Sequence, residues 1–173
     1  YCDDLDVING IDRQINNLNY IIGNCVSCCK ICNYLKRTMT VDEFYQKIKN
    51  ILIHNTKING DISYIKRFFK IIKKIYNTYK SGAIKRNYDF KITKEFFNDT
   101  IAKNCYLCGI PSNDININGI DRYDNNIGYT EENCKPCCSP CNIMKKNYSF
   151  KYLINKLVDI YEFKIKNDII IDV

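Results

Sequence analysis

The sequence contains one histidine in 173 residues and no run of about 18 apolar residues. The second absence excludes a membrane-spanning helix, so no membrane partner is expected. No signal-peptide pattern opens the chain, which starts at Tyr1 rather than Met. A fragment or a processed product is therefore expected. An even cysteine count is also missing: there are eleven, two pairs of them adjacent (Cys28-Cys29 and Cys137-Cys138). An odd number in Cys-x-x-Cys steps within polar sequence argues against a disulfide scaffold. It favours zinc in a reducing, intracellular compartment. The lone histidine, His54, stands outside these steps and reads as a surface or helix-end residue. Acid is scarce between 61 and 94, where ten basic residues face two acidic ones, in a chain of net charge +7.

What is present is repetition. Residues 8–51 align without a gap on 117–160, with 18 of 44 pairs identical. The shared residues are Ile-Asn-Gly-Ile-Asp-Arg (8–13 and 117–122), Asn-Asn (16–17 and 125–126) and Tyr20 with Tyr129. They continue as Asn-Cys-x-x-Cys-Cys-x-x-Cys-Asn-x-x-Lys at 24–36 and 133–145. A small cysteine-bearing module built twice is the expected architecture. Each copy is short for a hydrophobic core alone, so a metal staple is expected.

Helix signals surround the modules. Thr40 with Glu43 forms a capping-box pattern before Phe44, Ile48 and Ile51. Ser149 plays the same part before Leu153, Leu157 and Ile160. A helix is expected from Asp61, with an apolar stripe through Ile62, Phe69, Ile72 and Tyr79, ending at Ser81-Gly82. A shorter one is expected at about 94–102. The basic excess beside two metal modules suggests phosphate-backbone contact by Lys66, Arg67, Lys70, Lys73, Lys74, Lys85 and Arg86. Lys145 and Lys146, after the second knuckle, are further candidates. The bland alternative for such a charge run is a solvated helix face. The many tyrosines are more often packing than base-stacking surfaces.

Zinc takes four ligands in a tetrahedron, commonly from two Cys-x-x-Cys turns. Cys105 and Cys108 supply one turn, and Cys134, Cys137, Cys138 and Cys141 compete for the other. Cys138 and Cys141 are preferred because Cys141 runs into a helix expected near Asn142, leaving Cys134 and Cys137 spare. In the first copy Cys29 and Cys32 remain, with Cys2 as the candidate for the missing turn.

Cys105-Tyr-Leu-Cys-Gly, Asn118-Gly-Ile-Asp-Arg-Tyr-Asp, Gly128-Tyr-Thr, Asn133, Cys138-x-x-Cys141-Asn142 and Lys145 together resemble the HNH endonuclease family. The closer likeness is to its "IDR" variants in phages and large DNA viruses. Ala83-Ile-Lys-Arg-Asn-Tyr-Asp-Phe-Lys-Ile-Thr is similar to their lead-in segment. The resemblance covers about 83–160 well and 8–51 as a weaker copy. It implies an α+β fold of two tandem zinc-stapled treble-clef, ββα modules joined by a basic helical segment. The expected boundaries are 1–53, 54–82 and 83–173.

It also implies metal-dependent cutting of DNA, with structural Zn²⁺ and a catalytic Mg²⁺ or Mn²⁺. Asp121 and Asn142 match the metal-ligand places, and Asn133 the asparagine that ties the hairpin. Arg122 stands where the family has its histidine base, and arginine stays protonated, so it is expected to hold phosphate instead. Asp124 is then the candidate base, unless a metal-bound hydroxide suffices. A structural salt bridge is the alternative reading of the Asp-Arg pair. The first copy has Gln14 and Ile15 in place of Tyr123 and Asp124, and is expected to be non-catalytic. Host nucleus, host cytoplasm and virion are all compatible settings, and pseudo-dimeric packing of the copies is a further expectation. The other readings are a non-catalytic zinc protein that binds nucleic acid and a structural virion protein.

Overall fold

The computed structural model describes residues 1–2, 8–65 and 75–171. Two compact units are present, one of Tyr1–Ser63 with Ile154–Val173 and one of Tyr64–Leu153. Both mix helices with a small two-stranded sheet. Among the described residues no helix is long and apolar enough to cross a membrane.

In the first unit β1 (Asn9–Arg13) pairs antiparallel with β2 (Cys25–Cys29), setting Asp12 opposite Val26 and Arg13 opposite Cys25. Two helices follow, α1 (Lys30–Lys36) and α2 (Val41–His54). Thr40 caps α2 through the expected reciprocal bonds with Glu43, which satisfy two otherwise orphaned N–H groups. Phe44, Ile48 and Ile51 are wholly buried, as helical spacing requires of one face. His54 is exposed in the last turn.

The second unit contains α3 (Tyr76–Lys85), α4 (Lys94–Ile101), β3 (Gly119–Arg122), β4 (Cys134–Cys137) and α5 (Ser139–Lys145). The last helix is α6 (Phe150–Ile171). β3 pairs antiparallel with β4 so that Asp121 faces Lys135 and Arg122 faces Cys134. This is the β1–β2 register 109 positions on. The two hairpins differ in what covers them. Ile120 and Tyr129 join a core with Ala83, Ile92, Phe97 and Cys134. Ile120 is 2% exposed and Tyr129 7%, against 60% for Ile11 and 67% for Tyr20. Gly128 permits this cover, because a Cβ there would lie 2.5 Å from the Asp89 carbonyl oxygen. That approach lets the Tyr129 N–H donate to Asp89 O at 2.7 Å and Lys91 N–H to Tyr129 O at 2.8 Å. In the first unit Asn19 takes the place of Gly128.

Three helix expectations need correcting. Residues 61–65 are not helical, and 66–74 lie outside the described residues. Ser81-Gly82 do not stop α3, which runs on to Lys85. A glycine inside a helix costs only about 1 kcal/mol, which the packing of Ala83, Tyr76 and Tyr79 of the same helix on the core offsets. The knuckle helix α5 starts at Ser139 rather than near Asn142, because Cys138 is its extended N-cap and Pro140 sits in its first turn.

Both knuckle helices end on a strained basic residue. Arg37 (φ 50°, ψ −122°) and Lys146 (φ 49°, ψ −124°) turn the chain with a backbone that suits glycine. Arg37→Gly should therefore raise the unfolding free energy by about 1 kcal/mol, read from urea titration. A loss of similar size would show that the turn carries no strain.

Candidate functional site

Cys105, Cys108, Cys138 and Cys141 are all buried, and their sulfurs lie within 4.8 Å of one another. Cys108 Sγ and Cys138 Sγ are 3.8 Å apart. A tetrahedron with metal–sulfur bonds of about 2.3 Å has edges of about 3.8 Å, whereas a disulfide is about 2 Å. Among the described residues no disulfide forms. The geometry comes from local turns. Gly109, at φ 72°, lets its N–H return to Cys105 O at 2.8 Å and close the first knuckle. The Tyr106 N–H donates to Pro136 O at 2.8 Å and fastens that knuckle to β4. Cys138 caps α5, and Cys141 follows in its first turn.

Burial pushes the Cys105 and Cys141 thiols well above their ordinary range. A divalent cation able to hold thiolates is the partner such buried sulfurs fit. Cys134 and Cys137 stay outside the tetrad, and burial raises them to about 12 and about 11. Cys137 Sγ instead donates to Cys138 O at 3.6 Å.

The first unit gathers Cys2, Cys29 and Cys32. Cys2 Sγ is 3.7 Å from Cys29 Sγ and 3.4 Å from Cys32 Sγ. Three thiols at tetrahedral-edge spacing can hold the same kind of ion.

Next to each cluster, on the first strand of the hairpin, is a buried carboxylate paired with a buried lysine, a pairing that the sequence alone did not show. In the second unit Asp121 Oδ2 accepts from Tyr106 Oη at 2.7 Å and faces Lys145 Nζ at 3.1 Å. Lys145 is wholly buried, and its Nζ also donates to Arg122 O at 2.8 Å. In the first unit Tyr1 Oη donates to Asp12 Oδ2 at 2.9 Å, and Lys36 Nζ donates to Arg13 O at 2.9 Å. Burial raises the Asp121 carboxyl above the usual range, while Lys145, Tyr106 and Arg122 pull it down. The expected phosphate contact of Lys145 is thus corrected, because its ammonium is spent inside the fold. The alternative salt bridge also falls on Lys145 rather than on Arg122. The clue was the lysine shared by both copies at one spacing from the shared aspartate.

The other expected residues divide between two adjoining pockets of the second unit. The smaller, of about 350 Å³, is lined by Asp121, Arg122, Asn142, Arg86 and Lys146, together with Tyr88 and Tyr129. Asn142 Nδ2 donates to Ile120 O at 3.2 Å, which fixes the amide so that its oxygen is an acceptor. Asp121 Oδ1 has only a long 3.5 Å contact with Lys145 Nζ. A carboxylate oxygen and an amide oxygen are hard donors that suit Mg²⁺ or Mn²⁺. Arg86 Nη2 donates to Tyr129 Oη at 3.2 Å. Lys146 is held here by the strained turn described above.

Arg122 is braced rather than mobile. Its Nη1 donates to Asn125 O at 2.9 Å and Ile127 O at 3.0 Å, and its guanidinium lies 3.6 Å from the Tyr88 ring centroid. Asn133 stitches the same loop, accepting from Asp124 N–H and donating to the Asp124, Ile127 and Gly128 carbonyls. Asp124 lines the larger pocket and accepts from Asn126 N–H at 2.9 Å. Lys85 is exposed and lines neither of these pockets. Lys66, Arg67, Lys70, Lys73 and Lys74 lie outside the described residues.

No family model matches the chain. An uncharacterized protein of Acanthamoeba polyphaga mimivirus, R423, is 38% identical over 156 residues, covering 89% of this chain and 29% of that protein. The chain thus spans less than a third of this curated relative. Among solved structures, the rare-cutting HNH restriction endonuclease PacI superposes with a TM-score of 0.40 and 20% identity. That match covers 73% of this chain and 89% of that one.

Removing the buried ammonium should be costly. Lys145→Ala leaves Asp121 without its cation and is expected to lower stability by about 3–5 kcal/mol in urea unfolding. Pairing Lys145→Met with Asp121→Asn should restore most of that loss. A Lys145→Ala change within about 0.5 kcal/mol would mean the pair is not formed.

Proposed function

We propose that the chain carries two tandem zinc-stapled HNH-like modules, the second of which hydrolyses phosphodiester bonds in DNA with Mg²⁺ or Mn²⁺. The observation that carries this reading is the convergence of Asp121 and Asn142 on one pocket with Arg86, Arg122 and Lys146. The recurrence of register, aspartate–lysine pair and tyrosine bond 109 residues apart supports the duplication. The four buried thiols support zinc, the ion most at home in such a set. The viral relative and the cysteine chemistry suit a reducing setting.

In this reading Asp121 and Asn142 hold the catalytic cation, which when bound neutralises charge that develops on the phosphate. Tyr106 and the Ile120 carbonyl keep those two side chains in place. Arg86 and Lys146 supply positive charge at the pocket rim, where the backbone phosphate docks. Arg122 keeps its proton and cannot serve as the base. It anchors the loop that presents Asp124, the carboxylate that accepts the proton of the attacking water. The first module lacks this carboxylate, having Ile15 there, and acts in binding or as a scaffold.

One observation favours a second reading, nucleic-acid binding without cutting: Lys145 already neutralises Asp121 from inside the fold. Incubation of supercoiled plasmid with Mg²⁺ or Mn²⁺ separates the two. Nicking or linearisation is expected, slowed at least about 100-fold in Asp121→Asn and Asn142→Ala variants of unchanged metal content. Intact plasmid together with salt-sensitive binding would leave the binding reading standing. Equal cutting by all three proteins would remove these residues from the site, and neither cutting nor binding would leave the structural alternative.

A further inference from the structure

The larger pocket of the second unit carries Asp124 in its wall, but the rest of its lining is not accounted for by metal binding, phosphate binding or proton transfer. It encloses about 500 Å³ and is lined by Tyr88, Tyr123, Phe150, Asn125, Asn126 and Asn147 among others. Three of its residues, Tyr88, Asn125 and Asn147, also line the smaller pocket, so the two adjoin. Tyr123 and Phe150 stack with ring centroids 5.5 Å apart and an interplanar angle of 28°. Tyr106 packs against both at 6.2 and 6.1 Å while its hydroxyl is tied to Asp121. The aromatic wall is therefore braced on the same residue that faces the phosphate pocket. Even so, Tyr123 remains 42% exposed, and the neighbouring Asn126 and Asn147 are exposed amides.

These aromatics are not demanded by the framework. The first unit builds the same hairpin register and the same buried aspartate–lysine pair with Gln14 in place of Tyr123 and Val41 in place of Phe150. Folding alone does not call for a stacked pair of exposed Tyr123 and half-buried Phe150, which the first unit lacks at these positions. We propose that this pocket is a nucleobase subsite. It takes the base of an unpaired or extruded nucleotide whose phosphate lies in the neighbouring pocket, and it therefore rests on the phosphate-binding reading of that pocket. The chemistry matches: π-faces for stacking, amides that each offer a donor and an acceptor to a base edge, and a volume in the range of small-ligand sites. A base still stacked in a duplex offers only its edges and could not enter. The preferred substrate is then single-stranded or locally opened DNA.

The test compares two fluorescent 12-nucleotide strands of equal charge, oligo(dA) and a fully abasic phosphodiester strand, by anisotropy without added Mg²⁺ or Mn²⁺. The parent protein is expected to bind oligo(dA) about tenfold or more tightly than the abasic strand. Tyr123→Ala should cut that ratio by about tenfold and Asn147→Ala should reduce it, whereas Tyr123→Phe should keep it, each at unchanged metal content. A parent ratio near one, a ratio unmoved by Tyr123→Ala, or no binding to either strand would overturn the proposal. Plasmid cutting with a ratio near one would sink the subsite and spare the nuclease. A Tyr123-dependent ratio without cutting would do the reverse.

Discussion

Sulfur atoms from two turns thirty residues apart meet in the second unit, and the rest of that unit depends on their meeting. The hairpin of β3 and β4 has four residues in each strand, too little to stand alone in water. The tetrad joins the Cys105 knuckle to the start of α5, directly beside the end of β4. That fixes the helix carrying Asn142 and Lys145 against the strand carrying Asp121 and Arg122. Without the ion, four buried thiols would remain where a tight cross-link is needed.

A second constraint is electrostatic. Asp121 is buried deeply enough for desolvation to raise its carboxyl, yet Lys145, Tyr106 and Arg122 surround it. A buried ion pair of this sort contributes little net stability over an apolar pair but fixes geometry sharply. Here it ties the strand carrying Asp121 to the helix carrying Lys145. The same arrangement around Asp12 leaves the first hairpin with the framework but without the pocket lining. The framework recurs in both units, whereas Tyr123 and Asp124 of the pocket lining are Gln14 and Ile15 in the first.

Much of this was legible in the sequence because its causes are local. The Thr40–Glu43 capping box, the short helix expected at about 94–102 and the choice of Cys138 with Cys141 all follow from spacings of a few residues. What was not legible depends on distant partners. Nothing near Gly82 announces that Ala83 will be buried and carry α3 onward. Nothing near Gly128 shows that Asp89 will approach to hydrogen-bonding distance. Lys145 follows a metal knuckle and carries a charge, so it looks like a phosphate contact; only the fold shows its ammonium turned inward. Tyr123 was one tyrosine among many until the stacked partner Phe150 and the cavity beside them were in view.

The most direct test of the central claim is the metal content of the purified chain, measured by elemental analysis after exhaustive dialysis. At least one zinc per chain should remain, and Cys141→Ser should remove one equivalent and unfold the second unit. A chain that retains no metal and still shows cooperative unfolding of both units would contradict the account.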